Sequence, residues 1–209
     1  MPVQEAGAAA LSDKPFAESC VENRAPILAV LREVFADRRH VLEIGSGTGQ
    51  HAVYFAPELP HLTWQTADVP QHHASIRLWL AEAALPNVRL PLELDVNRTE
   101  WHSGCYDAVF SANTLHIMSW PEVERFFAGI GAVLEPGGVL AIYGPFNING
   151  AFTSESNARF DTWLKARDPA SGVRDLEAVD TLARAQGLVL QQDVAMPANN
   201  RTLVWRRMR

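Results

Sequence analysis

Residues 41–49, Val-Leu-Glu-Ile-Gly-Ser-Gly-Thr-Gly, decide how this chain folds. The first four form a short apolar run with β-branched side chains, which is typical of a buried strand. Three glycines at alternate positions follow, and glycine lets the chain turn sharply and lets a ligand approach its backbone. A helix is predicted to follow at residues 51–55, with free backbone N–H groups at its start. This stretch therefore predicts a ligand-binding unit of strand, glycine turn and helix.

The alternation of strand and helix continues along the chain. Apolar runs predict five strands, at residues 41–44, 62–67, 88–94, 106–111 and 139–143. Helical stripes separate them, and the first helix is predicted to begin at Pro26, because proline fits the first turn of a helix. Two more helices are predicted at residues 156–167 and 175–186. A closing pair of strands is predicted at residues 188–194 and 202–205.

This order of elements predicts the architecture. Strands that alternate with helices are joined by right-handed crossovers, which place the strands parallel and cover both faces of the sheet. We predict an α/β fold that is doubly wound and Rossmann-like, with a mainly parallel seven-stranded sheet and an antiparallel C-terminal hairpin. We expect residues 1–12 to be a flexible N-terminus and residues 13–209 to be a single domain. Ligands of such sheets bind beyond the carboxyl ends of the strands, so functional residues are expected just after each strand.

The glycine spacing distinguishes this loop from a dinucleotide-binding loop. In the dinucleotide pattern G-x-G-x-x-G the third glycine stands three residues after the second, where this chain has Gln50. Glu43 also lies two residues before the first glycine, and a carboxylate beside the loop is a poor partner for a pyrophosphate. A ligand with a cationic amino acid part suits this loop better. An NAD-dependent oxidoreductase is therefore the weaker interpretation.

The loop resembles the first motif of the class I S-adenosylmethionine (SAM)-dependent methyltransferases, an acid followed by three alternating glycines. Asp68, Asp95 and the turn at residues 134–138 match further motifs in the same order. The resemblance implies the class I methyltransferase fold, SAM as cofactor and methyl transfer as activity. Glu43 and the loop amides would hold the amino acid part, Asp68 the ribose and Asp95 the adenine region. The implied cofactor contacts are Asn23, Arg24, Glu43, Gly45, Ser46, Gly47, Gly49, Asp68, Asp95, Val96 and Asn113.

Four short stretches narrow the resemblance. They lie at residues 23–27, 156–161, 174–175 and 196–200, and they resemble the methyltransferase-like protein 26 family of small class I methyltransferase-like proteins. That similarity runs over nearly the whole chain from about Lys14. It implies the fold and the cofactor but not the methyl acceptor. For Asp68 and Asp95 a simpler interpretation stays open, in which each only caps the N-terminus of a helix, because aspartate is a good N-cap residue.

The methyl acceptor is expected beyond the fourth and fifth strands. Residues 113–116, Asn-Thr-Leu-His, lack the two prolines of the motif that nucleobase and amide N-methyltransferases carry, which argues against base methylation. His116 is a candidate general base, because imidazole titrates near neutrality, or else a hydrogen-bonded residue of the pocket wall. Tyr143 is the second candidate catalytic residue, and Asn147 is predicted to line the acceptor side.

Two flanking segments have both a functional and a structural interpretation. Asn199, Asn200 and Arg201 stand between the last two strands, where they form either an ordinary turn or a site for an anionic acceptor. Asn23 and Arg24 precede the predicted first helix and are expected to fold over SAM. His51, His72 and His73 are interpreted as surface residues, because adjacent histidines on a helix point about 100° apart and do not form a metal site.

Composition limits the partners. The 209 residues have a formal net charge of −6, and basic residues cluster only at the C-terminus, so nucleic acid is not expected as a partner. No apolar run long enough to span a membrane and no signal-peptide pattern is present, and the two cysteines fit a reducing compartment. We expect a cytoplasmic protein with a small-molecule acceptor and no metal, and the oligomeric state is left open.

The preferred function is a methyltransferase that catalyses direct in-line methyl transfer to an unidentified acceptor. The alternative is a SAM-binding regulatory or scaffold module without catalysis, because a fold does not imply an activity. The two differ on the acceptor side. If His116, Tyr143 and Asn147 do not converge on the methyl group, the second interpretation is favoured.

Overall fold

The computed structural model describes residues 14–98, 101 and 104–209. The predicted flexible N-terminus, residues 1–12, lies outside the described residues. Nine strands are described. They are β1 (His40–Ile44), β2 (Thr63–Asp68), β3 (Val88–Glu93), β4 (Tyr106–Ala112), β5 (Leu134–Gly144), β6 (Phe146–Asn147), β7 (Arg174–Asp175), β8 (Leu188–Met196) and β9 (Asn200–Arg207).

Six α-helices are described, together with one 3-10 turn at Pro197–Asn199 between β8 and β9. The helices are α1 (Glu18–Val34), α2 (Gln50–Phe55), α3 (Pro70–Ala83), α4 (Trp120–Val133), α5 (Glu155–Arg167) and α6 (Leu176–Ala185).

The main sheet has seven strands in the order β3-β2-β1-β4-β5-β9-β8. The first five strands are parallel, whereas β9 is antiparallel to both β5 and β8. The predicted doubly wound sheet with an antiparallel C-terminal hairpin is therefore confirmed. The strand order reverses between β1 and β4, which makes the carboxyl ends of these two strands the expected ligand site.

Alternate residues of the central strands enter two separate cores. Leu42, Val109 and Ile142 pack with helices α4 and α6 on one face of the sheet. Val41 and Phe110 pack with α1 and α2 on the other face. This alternation follows from the two-residue period of a strand, and it leaves the polar residues to the loops at the carboxyl edge.

A small parallel pair, β6 and β7, was not predicted. Each strand has only two residues, Phe146–Asn147 and Arg174–Asp175, so neither shows a hydrophobic pattern. Strand β6 follows β5 directly, so the pair lies at the edge where the acceptor was expected.

The predicted start of the first helix is wrong. Helix α1 begins at Glu18, and Pro26 lies inside it, although proline cannot donate a hydrogen bond to the carbonyl of Glu22. The apolar stripe starts only at Ile27, because the first half of the helix is mostly polar and buries only Asn23. The hydrophobic pattern alone therefore did not reveal those first turns.

The turn predicted at residues 134–138 is part of β5. The pairing of β5 with β4 shifts register between Leu134 and Val139, so that the intervening residues bulge from the ladder. Gly137 has a φ of 81° there, which glycine adopts readily. The turn residues were identified correctly, but the strand begins before them.

Candidate functional site

The glycine loop connects β1 to α2 at the centre of the carboxyl edge. Gly45, Gly47 and Gly49 have φ values of 75°, 57° and 93°, in the left-handed region that side chains disfavour. A Cβ on Gly45 would also lie 2.7 Å from the Thr114 hydroxyl oxygen. Gly45 is therefore required twice, for its backbone conformation and for its contact with the loop after β4.

Glu43 lies beneath this loop in the middle of the sheet. Its side chain is only 1% exposed, and Oε2 accepts hydrogen bonds of 3.0 Å from the Ser46 hydroxyl and from the Trp64 ring N–H. Burial raises the pKa of the Glu43 carboxyl to about 7, although these two hydrogen bonds act in the opposite direction. Glu43 is therefore a poorly hydrated carboxyl next to the loop, where a nearby positive charge would stabilise its ionised form.

Asp68 at the end of β2 is linked directly to the glycine loop. Its Oδ2 accepts a 2.7 Å hydrogen bond from the backbone N–H of Gly47. Its Oδ1 accepts two more, from the Val69 N–H at 2.7 Å and from Nδ1 of His72 at 2.8 Å. Sequence reasoning treated His72 as a surface residue, and its contact with Asp68 was missed.

Asp95 follows β3 next to the Asp68 backbone. The Leu94 N–H donates to the Asp68 carbonyl at 3.0 Å, and Asp95 Oδ1 accepts from the Asn97 N–H at 2.9 Å. Val96 is buried in the core beside it. The structure thus brings Glu43, the glycine loop, Asp68 and Asp95 together at one edge of the sheet.

Helix α1 packs over the start of α2. The Gln50 side chain accepts from the Ala17 N–H at 2.6 Å, and Asn23 Oδ1 accepts from Nε2 of His51 at 2.7 Å. The Arg24 guanidinium lies 4.4 Å from the centre of the Tyr54 ring. Asn23 and Arg24 therefore lie within a helix that contacts α2, and not in a segment that precedes the first helix.

The surface interpretation of His51 is wrong. His51 is buried and stacks on Phe55, and burial lowers the pKa of its imidazole to about 4. A histidine on a short helix next to glycines gives no sequence signal of this burial, because residues of other elements enclose it, Asn23 of α1 and Phe110 of β4.

The loop after β4 is joined to the glycine loop by side-chain hydrogen bonds. The Ser111 hydroxyl donates to the Ile44 carbonyl at 2.8 Å and lies 2.9 Å from the Thr114 hydroxyl. Asn113 adopts a φ of 57°, and its N–H donates to the Tyr143 carbonyl at 2.9 Å. An asparagine in this strained region at a strand end is typical of a functional loop.

His116 is buried on the acceptor side. It is 7% exposed, its ring meets Phe160 of α5 edge-on at 5.1 Å, and Nδ1 lies 3.8 Å from where a Cβ on Gly144 would be. Burial, assisted by the charge of Arg174, lowers the pKa of its imidazole to about 4. Within the described part of the chain, no hydrogen bond reaches either ring nitrogen. His116 is therefore neutral at pH 7.

Tyr143 and Asn147 each contact residues other than His116. The Tyr143 ring belongs to the core under α1, and its hydroxyl lies near Asn200. Burial raises the pKa of this phenol above its usual value. The Asn147 amide donates to the Val173 carbonyl at 3.3 Å, while its Oδ1 is buried and has no partner.

The predicted placement of Asn199, Asn200 and Arg201 in the turn holds only for Asn199, because Asn200 and Arg201 already belong to β9 and pair with β8. These residues are engaged by the protein. Arg201 forms an ion pair with Asp193 on the neighbouring strand, with Nη2 and Oδ2 2.7 Å apart. The Asn199 carbonyl accepts from Asn157 of α5 at 3.0 Å. The turn therefore attaches α5 to the sheet, and the guanidinium of Arg201 is not free for an anion.

Within residues 14–98, 101 and 104–209, no group of three or more His, Cys, Asp or Glu side chains is placed to hold a metal ion. None of the described helices has the length and apolar character needed to cross a membrane.

The comparison with protein families gives one match, over residues 14–207, to the family described as protein of unknown function DUF938. The chain belongs to this family. Its description names no activity, so the chemistry of this DUF938 member must be argued from the site itself.

Solved structures place this DUF938 member in a known fold. An O-methyltransferase family protein from Burkholderia thailandensis is 20% identical with a TM-score of 0.80, over 91% of this chain and 58% of that chain. PigF, solved with SAH, is 19% identical with a TM-score of 0.75, over 88% and 55%. These likenesses confirm the predicted class I methyltransferase fold. The resemblance to the methyltransferase-like protein 26 family stays a prediction.

A curated relative matches part of the chain in sequence. Tuberculostearic acid methyltransferase UfaA1 from Mycobacterium tuberculosis is 30% identical over 103 residues, which are 49% of this chain and 23% of that protein. The chain therefore spans less than two thirds of the length of each of these three proteins.

Proposed function

We propose that this chain is a SAM-dependent methyltransferase that transfers the methyl group in line to an unidentified small-molecule acceptor. One observation supports this more than any other. In a class I methyltransferase fold, Glu43, the N–H groups of the glycine loop, Asp68 and Asp95 lie together at the carboxyl edge of the sheet. Three carboxyl groups around the glycine loop suit a positively charged nucleoside.

Each part of SAM has a proposed contact in this arrangement. The amino acid part lies against the loop of Gly45, Gly47 and Gly49, near Ser46 and over Glu43. The ribose hydroxyls bond to Asp68, and the adenine lies beside Asp95 and Val96. Asn113, at the turn after β4, borders the methyl group. Asn23 and Arg24 act from α1, which covers the loop.

His116 is proposed as the general base. As the bond between the acceptor oxygen and the methyl carbon forms, the bond from that carbon to sulfur breaks, and the acceptor proton passes to a ring nitrogen of His116. The products are the methyl ether and S-adenosylhomocysteine (SAH). A pKa of about 4 keeps the ring ready to accept a proton, but it also makes the ring a weak base. We therefore propose an acidic hydroxyl, such as a phenol, as the acceptor.

Other residues on the acceptor side are given smaller roles. The unpartnered Oδ1 of Asn147 would accept a hydrogen bond from the substrate. Tyr143, Asn199 and Asn200 close this side through the contacts that hold α5 and the last turn. Arg201 supports the same turn through Asp193.

The non-catalytic alternative is supported by a specific observation. Tyr143 packs in the core under α1 and Asn147 donates to Val173, and neither side chain is hydrogen-bonded to His116 in the described part of the chain. A SAM-binding regulatory module would need only the cofactor edge. The distinction therefore depends on whether any acceptor is methylated.

Calorimetric titration with SAM and with NAD, followed by a labelled-methyl screen of cell metabolites, tests the proposal. We expect binding of one SAM per chain, no binding of NAD, and a labelled product that is soluble in water. Binding of NAD in place of SAM would contradict the cofactor assignment. SAM binding without a labelled product would favour the regulatory module.

The cellular setting is part of the same proposal. We propose a cytoplasmic enzyme without a nucleic-acid partner, because both cysteines, Cys20 and Cys105, are free thiols and the net charge is −6.

A further inference from the structure

The Asp68 carboxylate already accepts three hydrogen bonds from the protein, which leaves too few free positions for a ribose. A carboxylate offers about four lone-pair positions. Three are in use, by the Gly47 N–H, the Val69 N–H and His72 Nδ1. Two ribose hydroxyls need two positions, and only one is left. One of the three donors must therefore leave when a ribose binds.

His72 is the donor that can leave. The N–H groups of Gly47 and Val69 belong to the backbone of the glycine loop and of the turn into α3, so they cannot rotate away. The His72 side chain is 53% exposed, whereas that of Asp68 is 8% exposed. An imidazole at the surface can turn into water and keep its hydrogen bonds there at little cost.

We propose that His72 is a latch over the ribose site, which holds Asp68 in the cofactor-free protein and is displaced by the ribose hydroxyls of SAM. The inference rests on the proposed function of Asp68. A nearly buried carboxylate is costly without donors, so His72 satisfies it while the site is empty. The same contact competes with the cofactor and lowers its affinity.

His73 provides a matched control. It is the next residue on α3, and its Nε2 contacts only the backbone carbonyl of Asp68, at 2.9 Å. Its removal leaves the carboxylate and all three of its donors in place. A change that acts through the start of α3 in general would appear in both variants, whereas the latch predicts an effect of His72 alone.

The test is titration of wild type, His72→Ala, His72→Gln and His73→Ala with SAH by calorimetry. A net hydrogen bond of ordinary strength corresponds to an affinity change of about two- to tenfold. We expect His72→Ala to bind SAH about three- to tenfold more tightly than wild type. His72→Gln, which retains a donor, should fall between them, and His73→Ala should stay within about twofold of wild type.

Weaker or unchanged binding by His72→Ala would overturn the latch. Wild type that fails to bind SAH would overturn the proposed function itself, so the two failures are distinguishable. A crystal structure of the SAH complex gives a second readout. We expect His72 Nδ1 to lie more than about 3.5 Å from Asp68 Oδ1 there, and a pair still in hydrogen-bond contact would contradict the displacement.

Discussion

The cofactor side and the acceptor side of the site are built in different ways. On the cofactor side the proposed binding groups are carboxyl groups at strand ends, around one short glycine loop. On the acceptor side, contacts between distant segments hold the site. Gly172 donates to the His116 carbonyl at 2.9 Å, and Arg174 donates to the Leu115 carbonyl at 3.2 Å. The first side is defined by local chain geometry, and the second by packing.

This difference suits a division of labour. A site built at strand ends around one short loop holds one ligand in one geometry. A site walled by side chains of other elements, such as Phe160 of α5, can change its substrate without a change of fold. Ser111 and Thr114 join the two sides, because they link the end of β1 to the loop that carries His116.

The largest effect is expected for His116→Ala, which should impair methyl transfer on the acceptor side and leave binding on the cofactor side intact. His116→Ala should reduce methyl transfer by about 10²- to 10⁴-fold, which is the usual contribution of a general base. SAH affinity should stay within about twofold, since among the described residues no hydrogen bond joins the His116 ring to the cofactor edge. Single-turnover transfer and calorimetry measure the two quantities. Unreduced transfer would remove the base role, and His40→Ala, at the opposite end of the sheet, is the control.

The next effect tests the contact between the two sides. Gly45→Ala should weaken SAH binding by about a hundredfold and lower the thermal midpoint, because its Cβ would lie 2.7 Å from the Thr114 hydroxyl at a φ of 75°. Gly187→Ala is a matched control, with a φ of 73° and nothing within 4 Å. We expect it to cost about 1 kcal/mol of stability and no affinity. Equal effects of both variants would mean that the Thr114 contact is irrelevant.

A smaller effect probes the buried carboxyl of the cofactor side. Burial raises the pKa of Glu43 to about 7, so below pH 7 it is mostly protonated in the ligand-free protein. A cationic ligand favours the ionised form, so affinity for SAM should fall as the pH falls. We expect a loss of about eightfold between pH 7.5 and 6.0. Calorimetry at several pH values measures the SAM affinity. Glu43→Gln should bind SAM with an affinity that depends little on pH. An equally steep pH dependence in that variant would exclude Glu43 as the cause.

The same contrast explains what the sequence could predict. The glycines, Glu43, Asp68 and Asp95 are recognisable because their function depends on their position at a strand end, which a linear pattern records. The burial of His51 depends on α1, whose first turns carry few apolar residues. The contact of Phe160 with His116 depends on how α5 returns across the sheet. Such contacts between distant segments leave no local signal.

His72 lies between these cases. Its spacing of four residues from Asp68 on the way into α3 is compatible with a side-chain contact, and the structure has that contact at 2.8 Å. Sequence reasoning asked only whether the adjacent histidines form a metal site. The geometry of the first turn supplied the partner.

The most direct test of the account is calorimetric titration of wild type and Asp68→Ala with SAH. The account predicts one SAH per wild-type chain and at least tenfold weaker binding to the variant, because the ribose hydroxyls lose their acceptor. No binding to wild type, or equal affinity of the two proteins in their folded state, would contradict the central claim that this edge of the sheet binds SAM.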